Sequence, residues 1–167
     1  TKYPYVFPIA ATYWSQAAAS VKWAKDQLGG SLKGKKIAYL MYDNPAGQEP
    51  KEIFEDLAKL EGFELRVFAV PRPGLEMGAH TLDISQRYRA DFVVTNLFGR
   101  SPSVSIKELK RAGFPLNKVV GFVWAAAEAD IEAAGGFGFS EGYAGIQFAG
   151  VGPDYPVLNE IREMYKK

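Results

Sequence analysis

KIAYLMYDNPAGQEPKEIFEDLAKLEG, residues 36–62, joins an apolar run to a helical pattern through a short polar break. KKIAYLMYD is too continuously apolar for a strand with one wet face. It predicts a strand covered on both sides, as in a parallel sheet. Pro50 can open the following helix at its first position, where its missing N–H has no partner to lose. Ile53, Phe54, Leu57 and Leu60 then recur at helical spacing, and Gly62 ends the element. Many phosphate-binding loops follow this order of strand, break and helix. The break DNPAG, however, carries neither G-x-x-x-x-G-K-[ST] nor G-x-G-x-x-G. Glu49 and Glu52 suit the positive end of the helix themselves and would repel a bound anion. For any single residue here the ordinary reading is a turn, with Asp43 or Asn44 bonding to nearby backbone.

The same alternation fills the rest of the chain. SQAAASVKWAKDQLG predicts a helix over 15–29, with Ser15 as N-cap and Gly29 at its end. Ala17, Val21, Ala24 and Leu28 share one face, and Trp23 falls off it, exposed or facing something outside the chain. ELRVFAV is a strand, PRPGLEMG a loop, HTLDISQRYRA a helix of poor periodicity and DFVVTNLF a third strand. SPSVSIKELKRAGF reads as a Ser cap, Pro at the first position, helix and Gly stop. KVVGFVW is a fourth strand, AAAEADIEAAGG a short helix and SEGYAGIQFAG a fifth strand or extended segment. PDYPVLNEIREMYKK closes the chain as a helix with Val157, Leu158, Ile161 and Tyr165 as its packed face. Alternating strands and helices predict right-handed β-α-β units. The expected fold class is α/β: a flavodoxin-like or Rossmann-like three-layer sandwich with a mainly parallel sheet, one domain over residues 1–167.

Composition excludes several chemistries. The chain has 167 residues, 47% hydrophobic and 23% charged, a globular balance with room for a core. A formal net charge of +1 gives no general pull toward nucleic acid, so no nucleic-acid partner is expected. With no cysteine, disulfides and thiolate sites are impossible. His80 is the single histidine; neither a Ser-His-Asp triad nor a metal site is built around it, and it reads as a surface residue. Glu49/Glu52 and Glu128/Asp130 read as solvated helix turns rather than acid–base pairs. No enzyme activity, cofactor or metal is expected. No apolar run spans a bilayer, and no signal-peptide pattern opens the chain. The abrupt start at TKYPYVFPI and the helical end read as cuts from something longer.

In an open parallel sheet, ligands sit beyond the carboxyl ends of the strands. The segments there are 43–47, 71–78, 96–101 and 124–128, with 8–15 beside them. Tyr13, Trp14, Phe98 and Trp124 lie at or near these edges, and Asn44, Thr95 and Asn96 can direct hydrogen bonds. Aromatic rings with a few polar groups make a small-molecule pocket. The glycines of GGFGFSEG follow no strand and carry no nucleotide fingerprint.

Three stretches together resemble the type I periplasmic solute-binding proteins of ABC transporters, of the branched-chain amino acid-binding type. They are the segment from FPIAATYW to EGFEL, the unit ADFVVTNLFGRSPSVSIKELKRAGFP, and GFVWAAAEADIEAAGGFGFSEGYAG with its E-G before the next strand. The order and spacing of these stretches carry the resemblance, which covers nearly the whole chain. It implies a ligand-binding second lobe whose first lobe is missing here, hinge closure around a solute, and a membrane permease as partner. It also implies a periplasmic or extracellular location, with a lipid anchor as one form of attachment. The expected solute is a branched-chain amino acid or another small organic molecule.

The resemblance also implies site residues. Where the family carries an aromatic before the first-loop glycine, this chain has Ala46. Phe98 matches the aromatic contact after the third strand. The acid that holds a ligand ammonium after the fourth strand is replaced by Trp124, with Glu128 the nearest acid. That departure points to a larger, flatter or uncharged ligand. Tyr13, Asn44, Ala46, Asn96, Phe98, Trp124 and Glu128 are therefore the expected ligand-binding residues. The competing expectations are a flavodoxin-like nucleotide- or flavin-binding enzyme domain and the ligand-sensing lobe of a receptor.

Overall fold

The computed structural model describes residues 11–150 and 155–166; the predicted lead-in before Ala11 and the start of PDYPVLNEIREMYKK lie outside them. β1 (Lys36–Tyr42), β2 (Glu64–Val70), β3 (Phe92–Asn96), β4 (Val119–Gly121) and β5 (Ala144–Gly145) form one sheet. Their order is β2-β1-β3-β4-β5, and every neighbouring pair is parallel. The α/β expectation therefore holds, with both sheet faces covered.

The pleat divides the core. Ile37, Tyr39 and Met41 of β1 pack with Phe92, Val94, Val120 and Phe122 on one face. Over that face lie α1 (Tyr13–Gln27) and, after the short α2 (Pro45–Gln48), α3 (Lys51–Glu61). Ala38, Leu40 and Tyr42 point to the other face, where α4 (Gly78–Leu82), α5 (Ser101–Arg111) and α6 (Glu128–Ala134) pack. Burial on both faces is the reason β1 reads as one apolar run.

Several boundaries depart from the sequence reading, each for a local reason. α1 begins at Tyr13, not after Ser15, because the Thr12 side chain accepts the Ser15 N–H at 3.1 Å and caps the helix first. Trp23 is half-buried and packs edge-on against Phe92, with ring centroids 5.3 Å apart. Pro50 is the N-cap of α3, and Pro45 opens α2 instead. Leu60, placed on the packed stripe, is 78% exposed. The poor periodicity of 80–90 has a cause: α4 runs into a π-helical turn, Asp83–Tyr88, whose wider pitch shifts side chains off the 3.6-residue step.

Ser101 does not cap α5. It sits in the first turn, and its hydroxyl is held by the Tyr42 hydroxyl and donates to the Pro73 carbonyl oxygen at 3.1 Å. β4 stops at Gly121 because the Val123 N–H bonds to Gln16 Oε1 of α1 at 2.9 Å instead of continuing the ladder. Val123–Ala125 then forms a 3-10 turn. The closing helix α7 (Pro156–Tyr165) buries none of its residues against the described chain. Its predicted packed face, Val157, Leu158, Ile161 and Tyr165, is exposed together with Met164.

Candidate functional site

The site forms where sheet order reverses. β1 and β3 are adjacent, their crossovers run to opposite faces, and the loops at their carboxyl ends part to leave a crevice. The first wall is the loop after β1. Asn44 Oδ1 accepts the Gly47 N–H at 2.8 Å and caps α2. The Tyr39 hydroxyl donates to the Gly47 carbonyl at 2.9 Å. Asn96, 1% exposed at the end of β3, donates its amide to the Tyr39 oxygen at 3.0 Å and to the Ala46 carbonyl at 3.1 Å. A side chain on Gly47 would meet the Tyr42 carbonyl oxygen at 2.0 Å, so the loop closes on β1 only with glycine there. These bonds fix Ala46 as a flat, small floor.

The second wall is the turn after β4. Four side chains hold it. Gln16 takes the Val123 N–H, the Tyr143 hydroxyl donates to the Ala125 carbonyl at 2.7 Å, and Gln147 donates to the Ala126 carbonyl at 3.1 Å. Trp124 Nε1 donates to the Tyr13 hydroxyl at 2.8 Å, and the Tyr13 ring stacks on Phe122 with centroids 6.1 Å apart. Burial pushes the Tyr143 phenol well above its ordinary pKa, so it remains a donor at any physiological pH. Tyr143→Phe is expected to leave a buried carbonyl unpaired and cost roughly 1–3 kcal/mol. Urea unfolding of the variant checks this, with a lowered midpoint as the expected result.

Between these walls lie two adjoining hollows that share Tyr13 and Trp124. One, of about 420 Å³, is lined by Tyr13, Gln16, Glu49, Val123, Trp124 and Phe148 among others. The other, of about 330 Å³, is lined by Tyr13, Ala46, Phe98 and Trp124. Phe98 is tilted against Tyr42, with ring centroids 4.5 Å apart. Trp124 remains 58% exposed, its ring open to an arriving ligand. Volumes of this size match small-molecule sites.

Four of the seven expected residues, Tyr13, Ala46, Phe98 and Trp124, thus line one hollow. The other three stand elsewhere. Asn44 is spent on capping, Asn96 lies beneath the floor, and Glu128 is exposed in the first turn of α6, where it suits the helix dipole. Thr95 is buried near the Tyr143 hydroxyl, 3.5 Å away. His80 is half-buried, and its Nδ1 has no partner among the described residues. Sequence reasoning missed Gln16, which is 2% exposed; the available signal was a polar residue four positions before Ser20 on the small-residue face of α1. It also missed Phe148. Among the described residues no group of three His, Cys, Asp or Glu could hold a metal ion, and no helix is long and apolar enough to cross a membrane.

The crevice thus has apolar walls and a backbone-fixed floor. The chain belongs to the periplasmic binding protein family, whose profile matches residues 1–167; this is a family of binding proteins rather than enzymes. A solved structure described as an ABC transporter permease from the Pseudomonas fluorescens group is 33% identical, with a TM-score of 0.88 over 96% of this chain and 38% of that one. A branched-chain amino acid ABC transporter from Thermus thermophilus with bound valine is 23% identical, with a TM-score of 0.77 over 97% and 41%. A fatty acid ABC transporter substrate-binding protein from Thermomonospora curvata shares the fold at 15% identity, with a TM-score of 0.76 over 97% and 41%. The chain thus spans about two-fifths of the solved structures it matches. Among curated proteins, none matches it.

Proposed function

We propose that this chain is the second lobe of an extracytoplasmic solute-binding protein that delivers a small organic solute to an ABC importer. The observation that carries the reading is the convergence of Tyr13, Ala46, Phe98 and Trp124 on one open hollow at the carboxyl ends of the strands. An open hollow on one lobe closes when a second lobe folds over it, trapping the ligand and presenting a closed form to the permease. The relatives support the role, because two of them are described as ABC transporter proteins for a branched-chain amino acid and a fatty acid.

The first lobe would also cover the unpartnered face of α7, where five large apolar side chains on one short helix stand in water. The solute is a branched-chain amino acid or another small organic molecule. No acid from the β4 turn reaches the hollow, and the walls are aromatic, which favours a flat or apolar body. A tryptophan-fluorescence titration of the full-length protein tests the function. Saturable change with amino acids, aromatic acids or amides supports it. Tight binding of FMN, NAD or ATP with silence toward all small solutes would overturn it in favour of a flavodoxin-like cofactor domain.

A further inference from the structure

Arg72 follows Pro71 at the carboxyl end of β2. Its guanidinium lies over the Phe98 ring, 5.7 Å from the centroid, and Phe98 lines the smaller hollow. Arg72 is exposed, and no ion pair among the described residues uses it. Its loop is nevertheless fixed next door: the Pro73 carbonyl oxygen accepts from the Tyr42 hydroxyl at 2.9 Å and from Ser101 at 3.1 Å. A guanidinium held near an aromatic ring by charge alone, without hydrogen bonds, keeps its N–H donors for a ligand, and its planar fork can match a carboxylate with two parallel hydrogen bonds.

The remaining charges give the crevice a direction. Neither hollow has a lysine or arginine in its lining. The one carboxylate in either lining, Glu49, belongs to the larger hollow, whereas Phe98 belongs to the smaller. Glu76 and His80 line a separate hollow with Arg72, and Glu76 forms no ion pair with it. An anionic group is therefore favoured at the Phe98 end and repelled at the Glu49 end.

Building on the solute-binding reading, we infer that Arg72 is the anion-recognising residue of the site, and that the solute is an organic acid. Its carboxylate meets Arg72 beside Phe98, and its apolar or aromatic body lies on Trp124 and Tyr13. Of the larger, flatter or uncharged ligand expected from sequence, this keeps the flat apolar body and replaces the uncharged option with an anionic head.

The test is calorimetric titration of the full-length protein with 3-phenylpropanoate and its neutral isostere 3-phenylpropanamide. The wild type is expected to prefer the carboxylate by roughly tenfold or more. Arg72→Gln should bind the amide unchanged and bring the two ligands within about twofold, while Arg72→Lys, with charge but no fork, keeps part of the preference. Circular dichroism controls for folding, which an exposed side chain should not disturb. An undiminished carboxylate preference in Arg72→Gln, or a wild-type preference for the amide, would overturn the inference while leaving solute binding intact. Failure of every small solute to bind in a Trp124-dependent way would overturn the solute-binding reading as well.

Discussion

Trp124→Ala in the full-length protein is expected to weaken solute binding more than about tenfold, a loss of ~1.4 kcal/mol or greater. The substitution removes the indole face of the hollow and the bond from Nε1 to the Tyr13 hydroxyl, so it also loosens Tyr13, the other ring that both hollows share. The turn that carries Trp124 has its own anchors in Gln16, Tyr143 and Gln147, which do not involve the indole. Stability should therefore change little while affinity falls. Calorimetry with the selected solute reads the first quantity and thermal unfolding the second. Unchanged affinity would remove Trp124 from the site.

The second large effect lies in the core. Phe54→Ala is expected to destabilise the fold by about 3–5 kcal/mol. Phe54 is fully buried on α3, its ring 4.6 Å from Tyr39 and 6.2 Å from Phe122. The two rings beside it are held in place and do not readily fill the void. Tyr39 is tied to Gly47 and Asn96, and Phe122 is stacked by Tyr13. The loss is a large part of the ~5–15 kcal/mol that holds a typical domain together. Urea unfolding should show a midpoint shift of that size with an unchanged slope. A loss below about 1 kcal/mol would mean that α3 is not anchored as described.

The alternation of buried strands and amphipathic helices was readable because β1 and β3 carry runs that only a covered parallel sheet accommodates, while β2, at the sheet edge, mixes buried and exposed positions. Gly62 marked the end of α3 correctly, since it adopts the left-handed conformation with φ 74°. Terminal details were less legible where a distant side chain decides them. Nothing near Ser15 says that Thr12 will cap first, and nothing in KVVGFVW says that Gln16, far away in sequence, will take the Val123 N–H and bend Trp124 out of the strand.

The aromatic members of the site were visible as bulky residues at strand edges. Its polar members were harder to assign, because an asparagine at such an edge serves ligand or backbone equally well. Asn96 is claimed by Ala46 and Tyr39, and Asn44 by Gly47. The exposed face of α7 shows the converse limit: amphipathic spacing announces a packed face without saying whether any described residue covers it.

A crystal structure of the full-length protein grown with the solute its titration selects tests the site most directly. The solute is predicted to lie on Trp124 and Phe98 above Ala46, in contact with Tyr13 and closed over by a second lobe. Saturable binding in solution combined with solute density anywhere else, such as the basic hollow between α5 and α6 that Lys107, Lys110 and Arg111 line, would contradict it.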